Sequence, residues 1–231
     1  MREIIATPVF GLLISLLAFE IGIFINKKTR LALFNPLMLA ILIVIGILIV
    51  FRIPLEEYKM GGDFISMFLT PATVILAVPL YKNLHSLKKD YAAIIGGVIA
   101  GSITAILSIW LLGKAFGLSP QLLASLIPKS ITTPLGIELS KQLGGIPSVT
   151  VAAIIITGIV GAVLAQYILK LLGIKDKTAK GIAIGTSAHA LGTTKAVEMG
   201  ETEGAMSGLA IGLAGVVTVI VATILQKLGI F

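Results

Sequence analysis

Long apolar runs separated by short polar breaks organise this chain. Runs at about 4–25, 36–51, 64–81, 91–113, 147–172 and 204–228 carry almost no charge. A helix needs about 20 apolar residues to cross a hydrocarbon core of about 30 Å, so the six runs read as transmembrane helices, the second and third being the shortest. They are too long for strands, and the alternation of a membrane barrel is missing. Two further segments, 119–143 and 177–200, are less hydrophobic and are interrupted by Gly, Ser, Thr and Pro. The pattern predicts an all-α polytopic membrane protein with about six transmembrane helices and two re-entrant, broken-helix hairpins.

The interruptions have a local logic. Thr133 before Pro134 pairs a good N-cap with a good first helical residue. A helix from Pro134 to Leu143, ended by Gly144-Gly145, would be about 15 Å long, half a membrane. Shifted by 56 residues, GLSPQLLASLIPKSITTPLGIELSKQLGG (117–145) lies on GIKDKTAKGIAIGTSAHALGTTKAVEMGE (173–201), with Gly117 on Gly173, Leu135-Gly136 on Leu191-Gly192 and Gly144 on Gly200. The shift puts Thr133 on His189, so the second segment is also expected to start a half-helix near the membrane midplane. The units, about 91–145 and 147–201, would form an inverted repeat, a transporter signature that places a binding site at the midplane. Residues 1–62 are expected to form a scaffold and homodimer contact, and 63–231 the transport core. Two half-helix N-termini facing each other would offer unpaired N–H groups and partial positive charge to a small anion.

Charge orients the chain. Lys27, Lys28 and Arg30 follow the first run, Lys82, Lys88 and Lys89 the third, and Lys170, Lys175, Lys177 and Lys180 the fifth. These clusters share one side if both interrupted segments enter and leave by the same face. The positive-inside rule then makes that side cytoplasmic and places both termini outside an inner (plasma) membrane. Residues 52–63, with Glu56, Glu57 and Asp63, read as a loop on the opposite side. The first run reads as a retained helix rather than a cleaved signal.

Composition supports this class. Of 231 residues 57% are hydrophobic and 13% charged, and the mean hydropathy is +1.07. Soluble domains carry about 25% charged residues. The net charge of +7 belongs to the basic loops, with no pattern for nucleic acid. There is no cysteine, no second histidine at ligand spacing for a metal, and no HExxH, GxSxG or P-loop, so neither cofactor nor enzyme activity is expected.

The candidate chemistry gathers at the two breaks. Ser130, Thr132 and Thr133 mirror Thr186, Ser187 and His189, with Thr193 and Lys195 following. Each has two readings. The hydroxyls either donate to a carboxylate or cap freed backbone groups. His189 either meets substrate or a proton, or is a neutral ring bonded to backbone; His85 reads as solvated in a loop. Lys195 and Glu198, three apart, either serve an anion or form a helix-surface ion pair. Lys129 either supplies charge beside the first break or lies exposed. Glu20, a carboxylate within the first run, is a candidate for proton coupling or a dimer contact, as Glu198 is for coupling. Asn35-Pro36 starts the second run, and Thr70-Pro71 falls within the third, where it would kink a helix. Gly204, Gly208 and Gly212 read as a stripe for close helix packing.

The stretch GTSAHALGTTKA, with the earlier TPLGIELSKQLGG, resembles the LrgB/CidB family over about residues 10–228. The family motif falls on Thr133, Pro134, Gly136, Glu138, Ser187, His189, Gly192 and Lys195. The family includes bacterial proteins called antiholin-like or holin-like and plastid proteins that exchange glycolate and glycerate. The resemblance therefore implies one of two functions. One is an alternating-access, elevator-like carrier of small monocarboxylates such as glycolate, glycerate or pyruvate. The other is an accessory protein that modulates a small LrgA/CidA-type membrane partner and murein hydrolase export. Paired polar breaks at the midplane suit the carrier.

The orientation is testable without removing any native cysteine. In Lys175→Cys, a membrane-impermeant thiol reagent should label inverted vesicles and spare whole cells; labelling of whole cells would refute it.

Overall fold

A computed structural model describes residues 7–29, 34, 36–68, 71, 78, 81 and 84–230, with backbone alone for 84–90. The described secondary structure is helical throughout. The chain divides into two compact units, Met1–Thr73 and Val74–Phe231.

The first unit holds α1 (Pro8–Thr29), α2 (Pro36–Val50) and α3 (Leu55–Ser66). α1 buries Gly11, Ile14, Ala18 and Gly22, one stripe at helical spacing. Ile14 and Ala18 meet Ala40 and Val44 of α2. Gly11 crosses α3 at Gly61 with backbone against backbone, and Ser15 lies 2.9 Å from the Tyr58 hydroxyl. α3 corrects the reading of 52–63 as a loop. Its charge density suggested solvent, yet Pro54 precedes it and Glu56 and Glu57 stand in its first turn, where carboxylates favour a helix. The helix ends at Ser66, just inside the run expected to begin the third span. Most of that run, including Thr70, lies outside the described residues, as do Asn35, Lys82 and the side chains of His85, Lys88 and Lys89.

The second unit holds α4 (Leu84–Ala115), α5 (Pro120–Leu126), a 3₁₀ turn (Ile127–Ser130), α6 (Thr133–Gln142), α7 (Pro147–Leu171), α8 (Lys177–Met199) and α9 (Glu201–Lys227). α1, Tyr91–Ala115 of α4, α7 and α9 are each long and apolar enough to cross a membrane. α2, with 15 residues, is about 22 Å long.

Contacts fix the directions of these helices. Along α4, Ile94 and Val98 meet Met206 and Ala210, Ile106 meets Ala222, and the Trp110 indole donates to the Ile230 carbonyl at 2.8 Å, so α4 and α9 run parallel. α5 and α6 fold back on each other at Ile131–Thr132: a Cβ on Gly136 would lie 3.6 Å from the Pro128 carbonyl oxygen. α8 folds back at His189, the one break in its helical backbone. A Cβ on Gly192 would lie 3.5 Å from the Ile184 carbonyl oxygen, a contact a straight helix could not make. Pro128 and Gly136 stand 56 residues before Ile184 and Gly192. The first arm of α8 runs with α9, Gly181 on Met206 and Gly185 on Ala210, and against α7, Gly161 on Ala188. The second arm returns along α9, Thr193 on Ser207 and Val197 on Gly204. α7 therefore opposes α4 and α9, and the two hairpins enter the unit from opposite ends.

The interval of 56 residues recurs in the helix ends. Gly117, Gly173 and Gly229 all take positive φ, at 67°, 67° and 70°. After each, the next N–H reaches back to a carbonyl five residues earlier: Leu118 to Gly113, Ile174 to Leu169 and Ile230 to Leu225. This closes α4, α7 and α9 alike and satisfies their last carbonyls.

Small residues are frequent in the interior beside buried Ile, Leu and Met, and many large apolar side chains also face out. α9 buries Gly204, Ser207, Gly208, Ala210, Ala214, Gly215, Thr218 and Ala222, while Leu17, Phe24, Ile156, Val216 and Ile220 are exposed. Where the surroundings are lipid, close backbone approach takes over from hydrophobic burial as the packing force. The stripe Gly204–Gly208–Gly212 carries only part of this. Gly204 presses on Val197, but nothing lies near Gly212, and the tighter approaches come from Gly181 and Gly185 of α8. Gly185→Val should lower the midpoint of heat unfolding in detergent, by overpacking worth about 1–3 kcal/mol. Gly212→Ala should leave the midpoint unchanged or raise it slightly.

Candidate functional site

The two hairpin turns meet beside the middle of α7. The 3₁₀ turn, which carries Lys129, adjoins α8. On the far side of the second turn, a Cβ on Gly158 would lie 2.6 Å from His189 Cε1.

The first turn differs in detail from expectation. α6 starts at Thr133 rather than Pro134, and the N-cap is Thr132, whose side chain makes no capping bond. This hairpin is held from below instead. The Thr150 hydroxyl of α7 donates to the Ser125 carbonyl at 2.8 Å and lies 2.6 Å from Ser140 Oγ, while Ser125 Oγ accepts from the Ile146 N–H at 2.7 Å. One α7 threonine thus ties both arms together. At the tip, Lys129 Nζ donates to the buried Ser130 Oγ at 3.1 Å. Thr133 is half-buried.

The second turn is built on His189, at φ 42° and ψ −141°. That backbone is strained for a residue with a side chain, by about 1–3 kcal/mol, and persists only where surroundings hold it. The ring, 3% exposed, does the holding: Nε2–H donates to the Ile154 carbonyl at 2.8 Å. In the neutral ring this leaves Nδ1 as an acceptor. Thr193 Oγ1 lies 3.0 Å from the His189 carbonyl and 2.7 Å from Ser207 Oγ, fastening the returning arm to α9.

The remaining predicted residues divide. Ser187 is exposed, and its hydroxyl donates to the Ala183 carbonyl at 2.7 Å. Lys195 pairs with Glu198 at 2.9 Å, the lysine half-buried and the glutamate exposed. Glu138 pairs likewise with Lys141 on the surface. Glu20 is exposed on α1 of the first unit. Thr132 and Thr186, by contrast, are 7% and 5% exposed, and their hydroxyls have no partner.

Sequence reasoning missed two further groups of this kind, Ser102 of α4 and one carboxylate oxygen of Glu203, both buried without a partner. Glu203 sits at the base of the second hairpin beside Gly200. An orphaned buried hydroxyl costs about 1–3 kcal/mol, so each calls for a reason. Among the described residues no group of His, Asp and Glu could hold a metal ion.

The profile of the LrgB-like family matches residues 15–228. The antiholin-like protein LrgB of Bacillus mycoides is 40% identical over 216 residues, 93% of this chain and 94% of its own. Proteins of the same name from Bacillus cereus and Bacillus anthracis match to the same extent. No solved structure gives a significant match.

Partnered and orphaned hydroxyls should respond oppositely to loss. Thr150→Val breaks the tie between hairpin arms and should cost about 1–3 kcal/mol in detergent unfolding. Thr132→Val and Thr186→Val remove groups with no bond to lose and should leave stability equal or higher.

Proposed function

The chain belongs to the LrgB-like family, and from that premise we propose that it is a secondary carrier of small organic anions, of the size of glycolate, glycerate or pyruvate, working by alternating access in the inner membrane. The observation that carries this reading is the pair of opposed chain breaks with an orphaned hydroxyl at the first, Thr132, and another three residues before the second, Thr186. A broken helix exposes N–H groups and partial positive charge at its new N-terminus. Here two such termini, at Thr133 and Ala190, are opposed beside α7. A carboxylate between them would accept from those N–H groups and from the two hydroxyls, with the Lys129 ammonium as counter-charge.

In this reading the hairpins are re-entrant and form an inverted repeat. That arrangement lets one site open to either side of a membrane by rocking, or by moving the hairpin bundle against a homodimeric scaffold of α1 and α2. His189 shapes the second turn and Thr193 braces it, while Ser130 and Thr133 line the site from the first. Ser187 and the Lys195–Glu198 pair belong to the route toward the surface. Glu20 and Glu198 are the candidates for ion coupling.

A second reading rests on the relatives' names. The antiholin-like proteins it matches favour an accessory role beside a small holin-like membrane partner. A regulator of that kind has no need for orphaned hydroxyls at paired breaks, which makes it the weaker account of this geometry.

Purified protein in liposomes separates the two. The carrier should take up labelled glycolate or pyruvate saturably, and His189→Ala or Lys129→Met should lower uptake at least about tenfold, equivalent to ~1.4 kcal/mol. Lys195→Ala should act more weakly, its charge being already paired. No saturable uptake of any small monocarboxylate, with dye leakage only when a holin-like partner is present, would establish the accessory role instead.

A further inference from the structure

α4 was assigned no part in binding, yet its buried stripe is interrupted by one polar group. That stripe is Ile94, Val98, Ser102 and Ile106, spaced by four, with the two isoleucines and the valine 0% exposed and Ser102 2%. Val98 belongs to the cluster around Ile182 of the second hairpin. Ile106 belongs to the cluster around Ile127 and Ile131 of the first. Ser102 lies between them on α4, about one turn from each. Its neighbour Gly101 faces Thr186, where a Cβ would lie 2.7 Å from the threonine Cγ2.

Helical hydroxyls in this chain usually turn back on their own helix. Ser15 donates to Gly11, Ser108 to Ala105, Ser125 to Gln121 and Ser187 to Ala183, each on a carbonyl three or four residues earlier. The same bond is open in principle to Ser102, and the Ser102 hydroxyl does not make it. Thr132 at the first turn and Thr186 on the second hairpin are likewise buried and unpartnered, so three different elements each carry one such hydroxyl.

We propose that Ser102 is a substrate-binding residue, and that α4 supplies the third hydroxyl donor to a small oxyanion held between the hairpins. This rests on the carrier reading and adds the wall of the site that the hairpins leave open. Three donors from separate elements suit the oxygens of a 2-hydroxy or 2-oxo monocarboxylate better than an apolar solute, which would leave all three unpaired. Because Ser102 lies on a continuous helix, it would hold its position while the hairpins move.

The test uses Ser102→Ala and Ser102→Cys, the latter being the sole cysteine in the chain. Ser102→Ala should raise the KM for glycolate or pyruvate about tenfold, as expected for one hydrogen bond to a charged ligand, without lowering the unfolding temperature. In Ser102→Cys, saturating glycolate or pyruvate should slow labelling by a small thiol reagent, whereas an uncharged alcohol of the same size should not. An unchanged KM with labelling indifferent to the anion, in a protein that transports, would overturn the role of Ser102 and leave the carrier intact. A fall in unfolding temperature on Ser102→Ala with unchanged KM would make the hydroxyl structural, which also overturns it. Absence of uptake by the unaltered protein would instead overturn the carrier reading itself.

Discussion

A helix that breaks inside an apolar bundle releases backbone groups with no water to receive them, and the second unit is organised around that constraint. Each break needs a partner from elsewhere in the fold. α7 supplies it for both hairpins. Its Thr150 ties the two arms of the first at their base, and its Ile154 carbonyl receives the His189 ring at the tip of the second. α7 in turn buries Thr150, Ile154, Gly158, Ala162 and Leu169, one stripe along one face. A polar anchor, a carbonyl and two small residues in that stripe let opposed hairpins reach the same level.

Close packing follows from the same demand. His189 can sit at a strained backbone only because Gly158 leaves room for its ring. The arms of α8 can lie side by side along α9 because Gly181, Gly185 and Gly204 bring backbones nearly into contact. The outer faces carry Leu, Ile, Val and Phe, while Gly, Ala, Ser and Thr gather inside beside buried Ile and Leu. Each partnered hydroxyl then stabilises a specific joint, and the unpartnered ones stand out against them. Three of these hydroxyls, Ser102, Thr132 and Thr186, lie on α4, at the first turn and on the second hairpin.

The sequence made the site partly legible. The break at His189 could be read because a 56-residue shift laid it on the proline-marked first break, with Gly117 on Gly173; that these glycines close helices, and that Gly229 continues the series, came only from the fold. Of the two readings of Lys195, the helix-surface ion pair with Glu198 is the one the fold shows. Lys129, on the 3₁₀ turn, is the cation held at a turn, its ammonium donating to Ser130. Ser102 left no signal, since one serine within a long apolar run looks like any other small residue. α3 was hidden for the opposite reason: Glu56, Glu57, Lys59 and Asp63 look like a loop until Gly61 is seen pressed against α1.

By itself the sequence determined the membrane class, the long apolar helices, the places where two helices break and the interval between them. These depend on hydropathy and on local preferences of Pro, Gly and Thr, which act over a few residues. The tertiary structure alone decided which groups at the breaks are spent and which are free. Ile154 lies 35 residues from His189 and Ser102 far earlier than Thr186, so only the folded arrangement shows that the first pair is bonded and that the Thr132, Thr186 and Ser102 hydroxyls are left open. Local chemistry set where the chain turns; long-range packing set which polar groups near the turns stay unbonded.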